Sequence, residues 1–170
     1  MGEEVCNLPT VCAIIERTRD GVKEVLIQTR WKPDADPRYS GRIEIPAGLI
    51  EPYEDVYAAL RREVKEETGL EVVNVLADQR GRLFSDGKDE AFTFKPFCCF
   101  QQLKDGKPWL GFAFICQVDD AVPVPQADEV RDIRWVSIDE LDRLTTDEPD
   151  RFFTLVRGVM RAYLERVKSH

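Results

Sequence analysis

The stretch Gly48-Leu49-Ile50-Glu51-Pro52-Tyr53-Glu54-Asp55-Val56-Tyr57-Ala58-Ala59-Leu60-Arg61-Arg62-Glu63-Val64-Lys65-Glu66-Glu67-Thr68-Gly69-Leu70 decides how the rest of the chain is read. From Asp55 to Glu67 it contains neither Pro nor Gly and is rich in Ala, Leu, Glu, Arg and Lys, all good helix formers. Pro52 fits just ahead of a helix start, and Glu54 and Asp55 suit the positive end of the helix dipole. Gly69 stands where a helix ends on a left-handed residue. The pattern predicts a helix over residues 54–68.

At about 100° per residue, Arg62, Glu63, Glu66 and Glu67 fall within an arc of roughly 140°. Ala59 lies inside that arc, and Val56 and Leu60 border it. The acidic face therefore overlaps the face that should pack inward. Like charges three and four residues apart repel one another. A merely solvated acidic patch, partly neutralised by Arg61, Arg62 and Lys65, would avoid the apolar stripe. Carboxylates set against it call for a compensating partner, and a divalent cation is the natural one.

The stretch resembles the signature of the Nudix hydrolases. Every fixed position is filled: Gly48, Glu54, Arg62, Glu63, Glu66, Glu67 and Gly69, with Val64 and Leu70 at the apolar positions. The resemblance implies an α/β (α+β) fold of the Nudix α/β/α sandwich type with a mixed sheet. It also implies hydrolysis of a pyrophosphate bond in a nucleoside diphosphate linked to another moiety, with Mg²⁺ as cofactor and Mn²⁺ able to substitute. Glu67 is then the direct metal ligand, with Glu63 and Glu66 completing the metal and water shell. The backbone carbonyl of Gly48 or Ala47 adds a ligand. Arg62 orients a glutamate, Glu54 fixes the loop or helix start, and Gly69 closes the helix.

Relatives place a further acid ahead of a strand that bears a Trp. Glu129 precedes Trp135 in this way and is read as an extra ligand or general base; a solvated loop acid is the competing reading. Whether Glu63 or Glu129 activates water stays open. Arg30 and Arg42 flank the signature and are candidates to hold phosphate oxygens. Trp31 and Phe97 are candidates to stack on a base. Each of the four also reads as an ordinary exposed charge or packed ring.

The lead-in Glu44-Ile45-Pro46-Ala47-Gly48-Leu49-Ile50-Glu51 resembles the ADP-ribose pyrophosphatase branch, which favours ADP-ribose or an ADP-sugar as substrate. That branch also tends to carry a proline beyond the signature, where this chain has Ser85-Asp86-Gly87 and reaches its next proline only at Pro96. A (d)NTP-sanitising pyrophosphohydrolase and a non-catalytic nucleotide-sensing module are the alternatives. Erosion of the signature glutamates would mark the latter, and none is eroded. Several relatives are homodimers, so the resemblance favours a homodimer.

Composition narrows the classes. At 170 residues and 43% hydrophobic, the chain is expected to form a single domain over 1–170 with a sizeable core. A formal net charge of −8 argues against nucleic-acid or membrane-surface binding, including RNA-end hydrolysis, which want a basic face. No apolar run approaches the ~20 residues of a membrane span. The acidic Met1-Gly2-Glu3-Glu4 start does not read as a signal peptide. Cys6, Cys12, Cys98, Cys99 and Cys116 are odd in number and lack Cys-x-x-Cys spacing, which fits free thiols in a reducing cytoplasm. The sole histidine is His170, so histidine bases and His-ligated zinc are excluded, leaving carboxylates, Lys, Tyr or metal-bound water for acid–base work.

Around the helix the sequence alternates strands and turns. Thr10–Glu16 and Glu24–Trp31 flank the hairpin residues Arg19-Asp20-Gly21. Arg42–Ile45 leads into a turn at Pro46-Ala47-Gly48. Glu71–Leu76, Ala91–Leu103, Trp109–Val118 and Ile133–Val136 read as further strands. Ser137 with Glu140 resembles a capping box. Pro149 to Val167 reads as one amphipathic core helix.

Overall fold

The computed structural model describes residues 6–76, 81–126 and 128–169. The Met1–Glu4 start and His170 lie outside them. β1 (Leu8–Arg19) and β2 (Val22–Arg30) form a hairpin whose turn residues Asp20 and Gly21 take φ of 51° and 79°. Such left-handed two-residue turns match the twist of the strands they join. There follow β3 (Ile43–Glu44), β4 (Ala47–Leu49), α1 (Val56–Thr68), β5 (Val72–Val75), β6 (Arg82–Ser85), β7 (Glu90–Thr93), β8 (Cys98–Gln101), β9 (Trp109–Val118), β10 (Val130–Ser137), α2 (Ile138–Asp147) and α3 (Thr154–Lys168).

The main sheet runs β10-β2-β1-β9-β5, with β3 paired to β2, β4 to β1 and β8 to β9. β1 and β9 are parallel, Leu8 facing Trp109 and Ile15 facing Cys116, while the remaining pairings are antiparallel. The sheet is therefore mixed. β1 is buried from Thr10 to Glu16, and its side chains alternate between two cores. Val11, Ala13 and Ile15 pack with Val56, Leu60 and Val64 of α1. Cys12 and Ile14 pack with Leu141 and Leu144 of α2 and Val159, Met160 and Tyr163 of α3. A strand apolar on both faces must be covered on both, and that requirement gives helix, sheet and helix layers.

Several elements depart from the sequence reading. α1 starts at Val56, because Asp55 is its N-cap and accepts from Tyr57 N and Ala58 N. Glu54 thus lies outside the helix. Ala47–Leu49 is a strand paired with Thr10–Cys12 rather than part of a turn. Ala91–Leu103 splits in two. Glu90–Thr93 pairs with the unanticipated β6, and Cys98–Gln101 joins the main sheet. Pro96 lies between them, where a missing N–H interrupts any ladder. The C-terminal helix starts only at Thr154. Pro149–Arg151 is a 3₁₀ turn, and Phe152 and Phe153 are extended along Ile43, whose carbonyl accepts from Phe153 N at 2.9 Å. Cys12 and Cys116 are buried, whereas Cys99 and Cys6 are exposed; all five thiols are free.

Candidate active site

α1 presents Glu63, Glu66 and Glu67 at graded depth. The carboxylate of Glu67 is buried, its residue only 2% exposed. Its Oε2 accepts from Gln28 Nε2 at 2.7 Å and from Ala47 N at 3.1 Å, so β2 and β4 fix it from the sheet side. Burial pushes its pKa well up, and the charges of Glu44 and Glu63 add to that. Glu63 sits against Gly48, where an added Cβ would land on its carboxylate. Glycine at this point of β4 is what lets the helix acid reach the strand. Burial raises the Glu63 pKa as well, with Arg62 opposing and Glu66 and Glu129 reinforcing. Glu129 is thereby close enough to Glu63 to act on it electrostatically.

Arg62 ties these groups together. It donates to Glu54 through Nε and Nη2, both at 2.8 Å, to Glu63 at 2.5 Å and to the Leu49 carbonyl at 2.9 Å. Its approach to Glu66 is looser, at 3.5 Å. Glu54 also accepts from Glu51 N, closing the loop before the helix. Gly69 ends the helix at φ 73° and donates to the Lys65 carbonyl.

Of these residues, Gly48, Glu63 and Glu66 open onto a cleft of about 360 Å³. Its lining combines the acids Glu44, Glu63, Glu66 and Glu129 and the bases Arg30 and Lys32 with an apolar wall of Phe100, Trp109, Phe153, Val156 and Val159. The Arg30 guanidinium lies 5.9 Å from the Phe153 ring centroid, so charged and aromatic surfaces adjoin. The carboxylates suit cations bearing phosphate, and the rings suit a flat base. Glu44 is buried under this floor. Its Oε2 accepts from Arg30 Nη1 at 3.3 Å, and its Oε1 has no donor. Burial is the main cause that lifts its pKa to about 7, with Arg30 pulling the other way.

Of the residues chosen from sequence, Gly48, Glu63, Glu66, Glu129 and Arg30 line this cleft, and Glu67 lies beneath it. Arg42 is not among the lining residues. Trp31 lies under the Arg131 guanidinium at 3.6 Å, and Phe97 packs edge-on against Tyr163, so neither belongs to the aromatic wall. Lys32, Glu44, Phe100, Trp109 and Phe153 escaped the sequence reading. Pro149, three residues ahead of the Phe152-Phe153 pair, was the available clue to an interrupted helix there.

The oxygen-only donor set fits a hard divalent cation. Buried Glu67 has an Oε1 that takes neither of its two hydrogen bonds, and Gly48 leaves room for Glu63. In the described arrangement no three carboxylates are gathered as a finished metal cage, since Arg62 holds Glu63 and leans on Glu66.

The NUDIX domain model matches residues 7–155. The chain belongs to the NUDIX family. Among solved structures, the NUDIX fold of this chain is similar to the MutT protein from Methanosarcina mazei Go1. That match has 18% identity and a TM-score of 0.67 over 99% of this chain and 100% of that one. It is also similar to the NUDIX domain of Shewanella oneidensis NrtR complexed with ADP ribose, at 14% identity and TM-score 0.63 over 95% and 89%. A C. elegans Ap4A hydrolase binary complex matches at 15% identity and TM-score 0.59 over 96% and 99%. No curated protein sequence matches. At these identities the structural matches speak for the NUDIX fold. No helix among the described residues is long and apolar enough to cross a membrane.

Proposed function

We propose that residues 1–170 act as one NUDIX domain that hydrolyses a pyrophosphate bond in a nucleoside diphosphate linked to another moiety. The carrying observation is Glu67, a carboxylate buried on the inward face of α1 and held by Gln28 and Ala47 at the floor of a cleft. Burial of a charge without a cationic partner is costly, and a bound cation would relieve that cost.

Glu67, Glu63 and Glu66 would hold Mg²⁺ or Mn²⁺, with the Gly48 carbonyl adding an oxygen. When bound, such an ion neutralises phosphate charge and acidifies water. The chain's own residues do the rest. Arg62 orients Glu63, and Glu54 anchors Arg62. Glu63 or Glu129 accepts the proton of the attacking water. Phe100, Trp109 and Phe153 of the cleft wall would pack against the base. ADP-ribose or an ADP-sugar is the favoured substrate. The Glu44–Glu51 run supports it, and a similarly folded NUDIX domain binds ADP ribose. That same domain keeps a sensing role open as the second reading, and similarity to MutT proteins keeps (d)NTP hydrolysis in the panel. The free thiols favour a cytoplasmic setting. A homodimer is proposed on family grounds.

The test is release of nucleoside monophosphate or phosphate from ADP-ribose, ADP-glucose, NADH, Ap4A, dNTPs, oxidised dGTP and capped RNA, with Mg²⁺ and with chelator. Turnover of one compound that chelator abolishes is expected. Glu67→Gln should cut it at least ~10²-fold while the circular dichroism spectrum stays native. Normal turnover by that variant would remove Glu67 from the reaction.

A further inference from the structure

Arg30, the nearer of the two arginines chosen for phosphate, is already committed. Its Nε and Nη2 donate to Asp36 Oδ2 at 3.1 and 2.8 Å, and its Nη1 to Glu44. Only 14% of its side chain is exposed. Lys32, two residues on, is differently placed. Its Nζ donates to Glu129 Oε2 at 2.8 Å, and both side chains line the cleft. The pair is accessible, with 25% and 42% of the two side chains exposed. Ion pairs open to water hold weakly, so this one can exchange partners.

The backbones on both sides are pinned. Trp31 N donates to the Glu129 carbonyl at 2.7 Å, Lys32 N to Ser40 Oγ at 3.1 Å, and Asp36 N to the Lys32 carbonyl at 2.8 Å. Exchange therefore needs only side-chain rotation. A diphosphate entering the cleft competes with Glu129 for Lys32. A divalent cation competes with Lys32 for Glu129.

We infer that Lys32 is a positioning residue that couples the two halves of the reaction: the substrate's diphosphate draws Lys32 away, and Glu129 is thereby released toward the cation and the attacking water. This rests on the function proposed above, with Glu129 as the extra acid. Lys32 acts through Glu129, and its contact with substrate is to phosphate oxygens rather than to the base.

Competition predicts a reciprocal pattern. Titration calorimetry would follow Mn²⁺ alone, and inorganic pyrophosphate alone in chelator, on the intact chain and its Lys32→Met, Lys32→Arg and Glu129→Gln variants. Lys32→Met should weaken pyrophosphate roughly tenfold and tighten Mn²⁺ several-fold. Glu129→Gln should do the reverse, and Lys32→Arg should stay near the parent on both. A residue that merely supports the loop would weaken both ligands together. Unchanged pyrophosphate affinity in Lys32→Met, same-direction shifts in both single variants, or no pyrophosphate binding by the parent would each overturn the inference. A silent hydrolysis panel alongside the reciprocal pattern would instead overturn the proposed reaction and leave the Lys32 coupling standing.

Discussion

Glu44 shows how one residue sets conditions for its surroundings. It is 3% exposed, and its carboxyl, pushed up to about 7 chiefly by burial, titrates near 4.5 in an unfolded chain. The folded state thus binds the proton more tightly than the unfolded one. Stability from this group is complete below about pH 4.5 and is lost as pH rises through about 7. Glu67 is shifted in the same direction by burial. In chelator, the melting temperature should fall between about pH 4.5 and about pH 7, and Glu44→Gln should flatten that fall. Scanning calorimetry across the window checks it; a melting temperature that climbs with pH would contradict it. The signature glutamates were legible because their spacing is rigid. Glu44 was not, because a single acid in a short strand carries no periodicity. Lys32 was hidden for a related reason: its partner lies 97 residues away, a pairing that only the folded sheet creates.

Among the elements, α1 carries the candidate site, and its ends hold it in place. Asp55 satisfies two of the N–H groups that a helix start leaves without partners. Asp55→Ala should cost about 1 kcal/mol in urea denaturation and loosen the loop that Arg62 and Glu54 close. Helix, hairpins and central strands could all be read from caps, Asp-Gly turns and apolar runs. What could not be read was where periodicity and local backbone disagree. The apolar spacing of the last helix runs smoothly back through Phe153 and Phe152, yet hydrogen bonding to Ile43 holds that pair extended. This pairing places Phe153 in the cleft wall, so a helix start read too early concealed that ring. β6 stayed hidden for the opposite reason. All four of its residues are exposed, and a strand with no buried face leaves no alternating pattern.

For the molecule as a whole, stability centres on β1, whose two faces belong to different cores. Ile14 is fully buried against α2 and α3, and Ile14→Ala should cost about 2–5 kcal/mol, read as a lower denaturant midpoint with unchanged slope. The apolar run of β1 and its hairpin with β2 were visible in the sequence, but its pairing with β4 and β9 was not. Its parallel partner β9 begins at Trp109, opposite Leu8. That pairing also sets the tempo of biosynthesis. Translation at about 5–20 residues per second leaves β1 without its parallel neighbour for on the order of 5–20 s, an interval in which only β2, β4 and α1 among its main partners can reach it early. β1 thus emerges well before β9 and before α2 and α3, which cover its other face, and for that interval the nascent chain depends on whatever shields it from its neighbours.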